Sequence, residues 1–427
     1  MIDIGARLSE LEALGLSRKT RLVSGPQGPR VVLNGKPTLS LCSANYLGLA
    51  DHPRVREAAA EAALRWGAGT GASRLTSGTM TIHRRLEERL ATFLRRQSAL
   101  LFGSGFLANA GVIAALARPG DVVFADELSH TSILDGCRLA GAETFLYDHL
   151  DVEHLAWGIR KAEGRAALIA TESIFATGGD LAPLADIVAL AQQRRLRTLV
   201  DESHAIGAAG PEGRGALAGA GLLDQADVVV GSLGTALGSY GAFVACDRQM
   251  AVHLLNSART LIFSSAPAPS ATAAAYAALS LLEERPQLVE RLRTNSGLLR
   301  RELERQGFGA GGDAHIVSLF IGMAELSDQL AASALEQGIL IEAVRPPVLP
   351  APASFLRLAV MASHRPDELR EAAQILSAAA RAHGFEPEES MLAADVIELE
   401  PAPAVEAFDT GPAPGVFDFE QTGRLAA

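Results

Sequence analysis

Two short apolar runs limit where this chain can place a ligand. RLRTLV at 195–200 is aliphatic and β-branched and stops at Asp201; ADVVVG at 226–231 stops in the small-residue turn Ser232-Leu233-Gly234-Thr235. Continuous apolar runs broken by a carboxylate or glycines read as parallel strands buried on both faces. Open α/β sheets bind ligands beyond the C-terminal ends of such strands, so Asp201 and the Ser232 turn point to one pocket. A carboxylate ending a buried strand needs a partner to offset its lost hydration. That partner is either a cation in the pocket or an arginine elsewhere in the chain.

The segments around these runs, DESHAIGAAGPEGRG at 201–215 and GSLGTALG at 231–238, resemble the α-oxoamine synthase family. These pyridoxal-phosphate (PLP) enzymes of the fold-type I aminotransferase superfamily join an amino acid to an acyl thioester. The resemblance covers roughly residues 40 to 380. It implies an α/β fold of the fold-type I aminotransferase kind, with a mainly parallel sheet in the large domain and a smaller C-terminal α+β domain. The expected divisions are an N-terminal arm at 1–45, a large PLP-type domain at 46–286, a small domain at 287–384 and a tail at 385–427. The tail is acidic and rich in Pro and Ala, a composition that cannot bury enough apolar surface to order itself.

The resemblance departs at one position. In the family a T-[LF]-x-K-A-x-G segment supplies the Lys that holds PLP as a Schiff base, and here Thr235 stands in its place. The only lysines are Lys19, Lys36 and Lys161, so none follows position 161. A hydroxyl cannot form an imine and is a poor base toward an amino-acid Cα. Any PLP bound here is expected to be noncovalent.

The remaining family positions are filled. The resemblance places Asp201 against the pyridinium nitrogen, His204 on the phenolic oxygen and His130, in the DELSHTS run, flat against the ring. Ser104, Gly105 and Phe106, where an apolar strand feeds a helix start, are expected with Ser232 to hold the phosphate; free N–H groups and the positive dipole end favour an anion there. Ser264 or Ser265 resembles a contact made from a partner subunit, Asn45 in NYLGL a residue near substrate, and Arg357 the group that binds the amino-acid carboxylate. A guanidinium forks onto a carboxylate bidentately, which suits Arg to that task. Judged apart from the resemblance, Asn45 reads as a turn-former, His130 as a cap or a surface residue, and Arg357 as a residue of an alternating strand that faces pocket or solvent equally. The loop at 176–178 departs again: Ala176, Thr177 and Gly178 replace the family's Ser, Met and Asp, removing a second cofactor contact.

Elsewhere the sequence is plainer. Leu8, Leu11, Leu14 and Leu16 fall roughly on one face of a short helix, Asn34-Gly35 marks a hairpin turn, and His83 with Glu87 reads as an i,i+4 surface pair. Cys42, Cys137 and Cys246 are isolated, so free thiols in a reducing compartment are expected and no metal site. The N-terminus lacks a signal pattern and no apolar run reaches the ~18 residues of a membrane span, so a cytoplasmic protein is expected. From Glu386 onward ten acidic residues face one Arg, so most of the net charge of −11 sits in the tail. The near-neutral body gives no nucleic-acid reading.

Three functional readings remain open at this level. The chain is a synthase slowed by Thr235, with His130 or water as base, using an amino acid and acyl-CoA or acyl carrier protein as a homodimer. Alternatively it is a non-catalytic subunit that pairs as a heterodimer with an active synthase. Thirdly, Thr235 is a substitution made to trap an intermediate, a use for which alanine is commoner.

Overall fold

The runs VVFAD, AALIATE, RTLVD and VVVGS form adjacent strands in the computed structural model, which describes residues 2–13, 16–162, 164–346, 348–349 and 352–390. The seven-stranded sheet runs in the spatial order Ser98–Phe102, Ala242–Cys246, Val228–Ser232, Arg197–Asp201, Ala166–Glu172, Val122–Asp126, Glu143–Tyr147. Ala242–Cys246 is antiparallel to both neighbours, and the other pairs are parallel. This is the fold-type I aminotransferase architecture, with a mixed, mainly parallel sheet.

The continuous apolar character follows from burial on both faces. Leu199, Val228 and Val230 pack on one side with Val112 and Ile113, while Val200, Val229 and Phe243 pack on the other with Leu279 and Leu282. The helix Gly105–Leu116 is apolar all round, as a helix enclosed by protein must be, and Asn109 is its one polar side chain, almost wholly buried. Three carboxylates end three adjacent central strands: Asp201, Glu172 and Asp126. Glu172 and Asp201 lie directly opposite in the register.

A second, antiparallel sheet is built from Ala310–Gly311, Ile316–Gly322, Ser354–Ala359 and Glu342–Val344. Helices Gln287–Arg305, Ala324–Glu336 and Pro366–Ala382 accompany it. Ile339–Leu340 pairs parallel with Lys36–Ser40 and so joins this part of the chain to the N-terminal hairpin. The hairpin turn falls at Asn34-Gly35, with φ of 51° and 81°, the left-handed pair that this dipeptide favours. His364 strengthens the junction. Its Nδ1 accepts from the Met361 N–H at 2.9 Å and its Nε2 donates to the Ser40 carbonyl at 3.0 Å.

Three expectations need correction or restriction. His83 and Glu87 are buried rather than a surface pair: His83 bridges the Met80 N–H and the Pro267 carbonyl, and Glu87 pairs with Arg74 at 2.8 Å. The helical spacing was right, but the helix Thr81–Phe93 turns this face inward onto Pro269–Glu284, which spacing alone does not reveal. The helix Ile4–Ala13 buries none of its residues, and Leu8 is 60% exposed, while Leu14 lies outside the described residues. The expected tail lies outside them from residue 391 on; before that point Phe385 is buried, and Ser390 accepts from the Gly309 N–H at 2.7 Å.

A histidine clasp braces the loop beyond Glu172. His149 Nδ1 lies 2.8 Å from Asp126 and its Nε2 lies 3.6 Å from Asp180, with the Phe175 ring edge-on. Burial alone would lower the imidazole's pKa, but the bond to Asp126 and the two carboxylates beside the ring outweigh it and raise it to about 9. A group held above its ordinary value of 6.5 contributes stability that is complete below that value and lost as pH rises through about 9. The free energy of unfolding should therefore fall between neutral pH and about pH 9.5 in urea titrations. His149→Gln should flatten this fall, and an unchanged slope would contradict the clasp.

Candidate active site

Asp201 is the centre of a buried polar network. Its Oδ2 accepts from Asn109 Nδ2 at 2.6 Å and its Oδ1 from the Ser203 N–H at 2.8 Å, and only 6% of the residue is exposed. The arginine partner left open by the sequence does not appear among the described residues. The buried ion pairs there, Arg74–Glu87 and His149–Asp126, go elsewhere, and buried Arg357 turns to the exposed Glu342. A buried carboxylate with hydrogen bonds but no counter-charge is an expensive arrangement for a purely structural residue.

Glu172 shows the effect of this crowding. Burial, and then the Asp201 charge across the register, raise its pKa to about 8, against two N–H bonds that pull the other way. Those bonds come from His130 N at 2.7 Å and Ala176 N at 3.2 Å. Glu172 thus fixes the start of the helix Thr131–Ala140 and the altered 176–178 loop together. Next along the chain, Glu202 is raised to about 7 by burial, and it accepts from Leu217 N at 3.0 Å.

His130 caps the helix Thr131–Ala140, with Nδ1 at 2.7 Å from Ser132 Oγ and at 3.2 Å from the Ser132 N–H. Ser132 Oγ also receives Asn109 Nδ2 at 2.9 Å, so one amide joins His130 to Asp201. Phe106 meets the His130 ring edge-on at 6.5 Å between centroids. His204 Nδ1 lies 2.6 Å from the hydroxyl of fully buried Tyr46. Burial, then the nearby Arg357 charge, lower His204 to about 3, so its ring is neutral. His315 packs on Tyr46 at 4.0 Å between centroids, and neither of its ring nitrogens has a hydrogen-bond partner among the described residues.

Ser104 caps the helix Gly105–Leu116 by accepting from Leu107 N at 3.2 Å, and the N–H groups of Gly105 and Phe106 have no intrahelical acceptor. A Cβ built on Gly105 would lie 3.7 Å from Ser203 Oγ, which puts this helix start beside the Asp201 loop. Ser232 Oγ accepts from Gly234 N at 3.0 Å in the turn that leads to Thr235. Thr235 is nearly buried and donates Oγ1–H to the Ser203 carbonyl at 2.8 Å. Gly238 closes that loop at φ 60°, where any Cβ would run into the Leu49–Ala50 backbone.

Arg357 is brought to the same side of the sheet. Its Nε donates to the Ala176 carbonyl at 2.6 Å and its Nη1 lies 3.3 Å from Glu342, the residue opposite it on the neighbouring strand. Asn45 spends its side chain locally, accepting from Ala50 N at 3.1 Å and donating to the Gln27 carbonyl at 3.4 Å. Ser265 pairs with Ser73, and Ala266 N donates to Ala72 O, so Ser264 and Ser265 sit at the glycine-rich 67–79 loop instead of in the Asp201 network.

Asn109, Ser132, Glu172, Ser203 and Tyr46 were not singled out from the sequence. Asn109 carried a usable signal, as the lone polar residue in GFLANAGVIAAL, and Tyr46 stood beside Asn45.

Comparison with known proteins gives this arrangement a lineage. Residues 36–376 match the aminotransferase class I and II family. The 8-amino-7-oxononanoate synthase of Citrifermentans bemidjiense is 42% identical over 380 residues, covering 88% of this chain and 97% of that protein. The synthase of the same name from Geobacter metallireducens is also 42% identical, over 382 residues, with 88% and 97% covered. Among solved structures, a serine palmitoyltransferase from S. paucimobilis with a bound PLP-myriocin aldimine superposes with a TM-score of 0.84 at 32% identity, covering 89% of this chain and 97% of that one. The chain belongs to the aminotransferase class I and II family and, within it, to the α-oxoamine synthases.

Proposed function

We propose that this chain binds PLP noncovalently at Asp201 and presents it to an amino acid, as an α-oxoamine synthase slowed at the proton-transfer steps by Thr235. The observation that carries the reading is the buried Asp201 carboxylate, hydrogen-bonded yet without a cation of the chain's own. A protonated pyridine nitrogen fits that deficit. The residues present fit the rest of PLP but not its usual covalent anchor.

The family's reaction is the decarboxylative condensation of an amino acid with an acyl thioester. PLP, when bound, supplies the electron sink for charge developing at the amino-acid Cα. The chain's own residues would do the rest. Asp201 would hold the ring nitrogen protonated, His130 would lie against the ring and His204 would donate to the phenolic oxygen. Ser104, Gly105, Phe106 and Ser232 hold the phosphate. Arg357, steered by the Ala176 carbonyl, takes the amino-acid carboxylate with its remaining N–H groups. Asn45, tied to the Ala50 turn, shapes the substrate side of this space. Ser264 or Ser265 would reach the phosphate site of a second copy. The acyl group arrives on CoA or an acyl carrier protein, and the work is done in the cytoplasm. No helix among the described residues is long and apolar enough to cross a membrane.

Thr235 favours a second reading, a non-catalytic subunit paired with an active synthase. Its hydroxyl proton is spent on the Ser203 carbonyl, so the position offers neither an amine nor a strong base.

Equilibrium dialysis of PLP against the wild-type chain and Asp201→Asn tests the site. The substitution should weaken binding roughly tenfold to a hundredfold, following the ~1.5–3 kcal/mol of a hydrogen bond between charged groups. Equal affinities would remove Asp201 from the site.

A further inference from the structure

We propose that Asn109, acting through Ser132, and Tyr46 are positioning residues that hold His130 and His204 with their protons on Nε2, so that both imidazoles offer donors to the pocket and neither offers a base. The inference deepens the reading that this pocket holds PLP, but it is argued from the chain's own hydrogen bonds.

The argument begins at Asp201. A carboxylate only accepts, so the atom of Asn109 that lies 2.6 Å from Asp201 Oδ2 is its amide nitrogen. The second N–H of that nitrogen reaches Ser132 Oγ at 2.9 Å, which makes the serine oxygen an acceptor there. Its single O–H is then left for His130 Nδ1, 2.7 Å away. The Ser132 backbone N–H points at the same nitrogen from 3.2 Å. With two donors aimed at it, Nδ1 carries the lone pair and Nε2 carries the proton. The cost is visible on the far side of the amide, where buried Asn109 Oδ1 has no partner among the described residues.

His204 reaches the same state by another route. Burial keeps the Tyr46 phenol protonated by raising its pKa, against the nearby Arg357 charge. The phenol lies 2.6 Å from His204 Nδ1, and the Arg357 side chain beside it offers only donors. If Nδ1 carried the proton, the buried phenolic hydrogen would have no acceptor, at a cost of about 1–3 kcal/mol. Tyr46 therefore donates, and Nε2–H faces away from it.

Two fixed Nε2–H donors suit a ligand rich in acceptor oxygens and deny it a nitrogen lone pair. Proton removal from a bound amino acid then falls to water, since the Thr235 hydroxyl is tied to the Ser203 carbonyl.

Long-range 1H–15N correlation spectra of the full chain with 15N-labelled histidine report the tautomers directly. At about pH 8.5, above the ordinary imidazole range, both rings should show the Nε2–H pattern, assigned by the loss of signals in His130→Gln and His204→Gln. Ser132→Ala and Asn109→Ala should turn the His130 pattern into a tautomer mixture, Tyr46→Phe should do the same for His204, and Ser132→Thr, which keeps the hydroxyl, should preserve the wild-type pattern. Where Asn109→Ala fails to fold, Ser132→Ala carries the His130 arm alone. An Nδ1–H pattern for either ring in the wild type would overturn the proposal, as would patterns unmoved by Ser132→Ala and Tyr46→Phe. The spectra are recorded without PLP, so a failure here is read separately from a failure to bind PLP.

Discussion

Thr235→Lys is expected to give the chain a covalent hold on PLP and to raise exchange of an amino-acid Cα hydrogen by about a hundredfold or more, the lower end of general acid–base contributions of roughly 10²–10⁴. Thr235 lies in a loop set by two ends of the central sheet, and its side chain already reaches the Ser203 carbonyl beside Asp201. A lysine there starts beside that carbonyl, between Asp201 and His204 along the chain. Burial of its amine lowers the pKa toward neutrality, which leaves more of it as nucleophile and base. Losing the Thr235–Ser203 bond costs only about 1 kcal/mol, so the fold should survive. Borohydride reduction after incubation with PLP, followed by intact-mass measurement, checks the attachment, and NMR in deuterated water checks the exchange. A folded Thr235→Lys chain that gains neither would show that the loop aims this position away from the pocket.

Phe243→Ala should have the largest effect on stability, about 3–5 kcal/mol. Phe243 is fully buried in the strand Ala242–Cys246, between Leu101 on one neighbour and Gly231 on the other. The ring lies over Gly231 so closely that a Cβ there would collide with it, so the glycine has no side chain to refill the space. Both flanking strands are held by full ladders, which prevents collapse and leaves a cavity. The strand Val228–Ser232 leads into the Thr235 loop, and PLP affinity should fall with stability. Urea unfolding checks the first effect. A loss below about 1 kcal/mol would mean the site relaxes around the missing ring.

The legible parts of this protein are those where polarity breaks an apolar run. Asp201 ends RTLV and Ser232 ends VVVG, so the central strands and the points at which they end could be read directly. Ser104, at a strand-to-helix junction, was legible for the same reason. The network behind them was not. Asn109 sits in a helix whose composition announces burial, but only the three-dimensional approach of Gly105–Leu116 to Asp201 gives its amide a task. His83 and Glu87 show the converse: the helix was readable, but which polar residues turn inward depends on the helix that packs against it. Arg357 was ambiguous on an alternating strand, and it is contact with the Ala176 carbonyl, 181 residues away in sequence, that settles its direction.

Noncovalent PLP binding without a lysine is the central claim, and a visible-absorbance titration of the wild-type chain with PLP, alone and then with glycine, alanine or serine, tests it most directly. The account predicts a saturable, protein-dependent band that borohydride does not convert into a mass adduct on the chain, with a further change on addition of one of the amino acids. No saturable change with PLP under any of these conditions would contradict it.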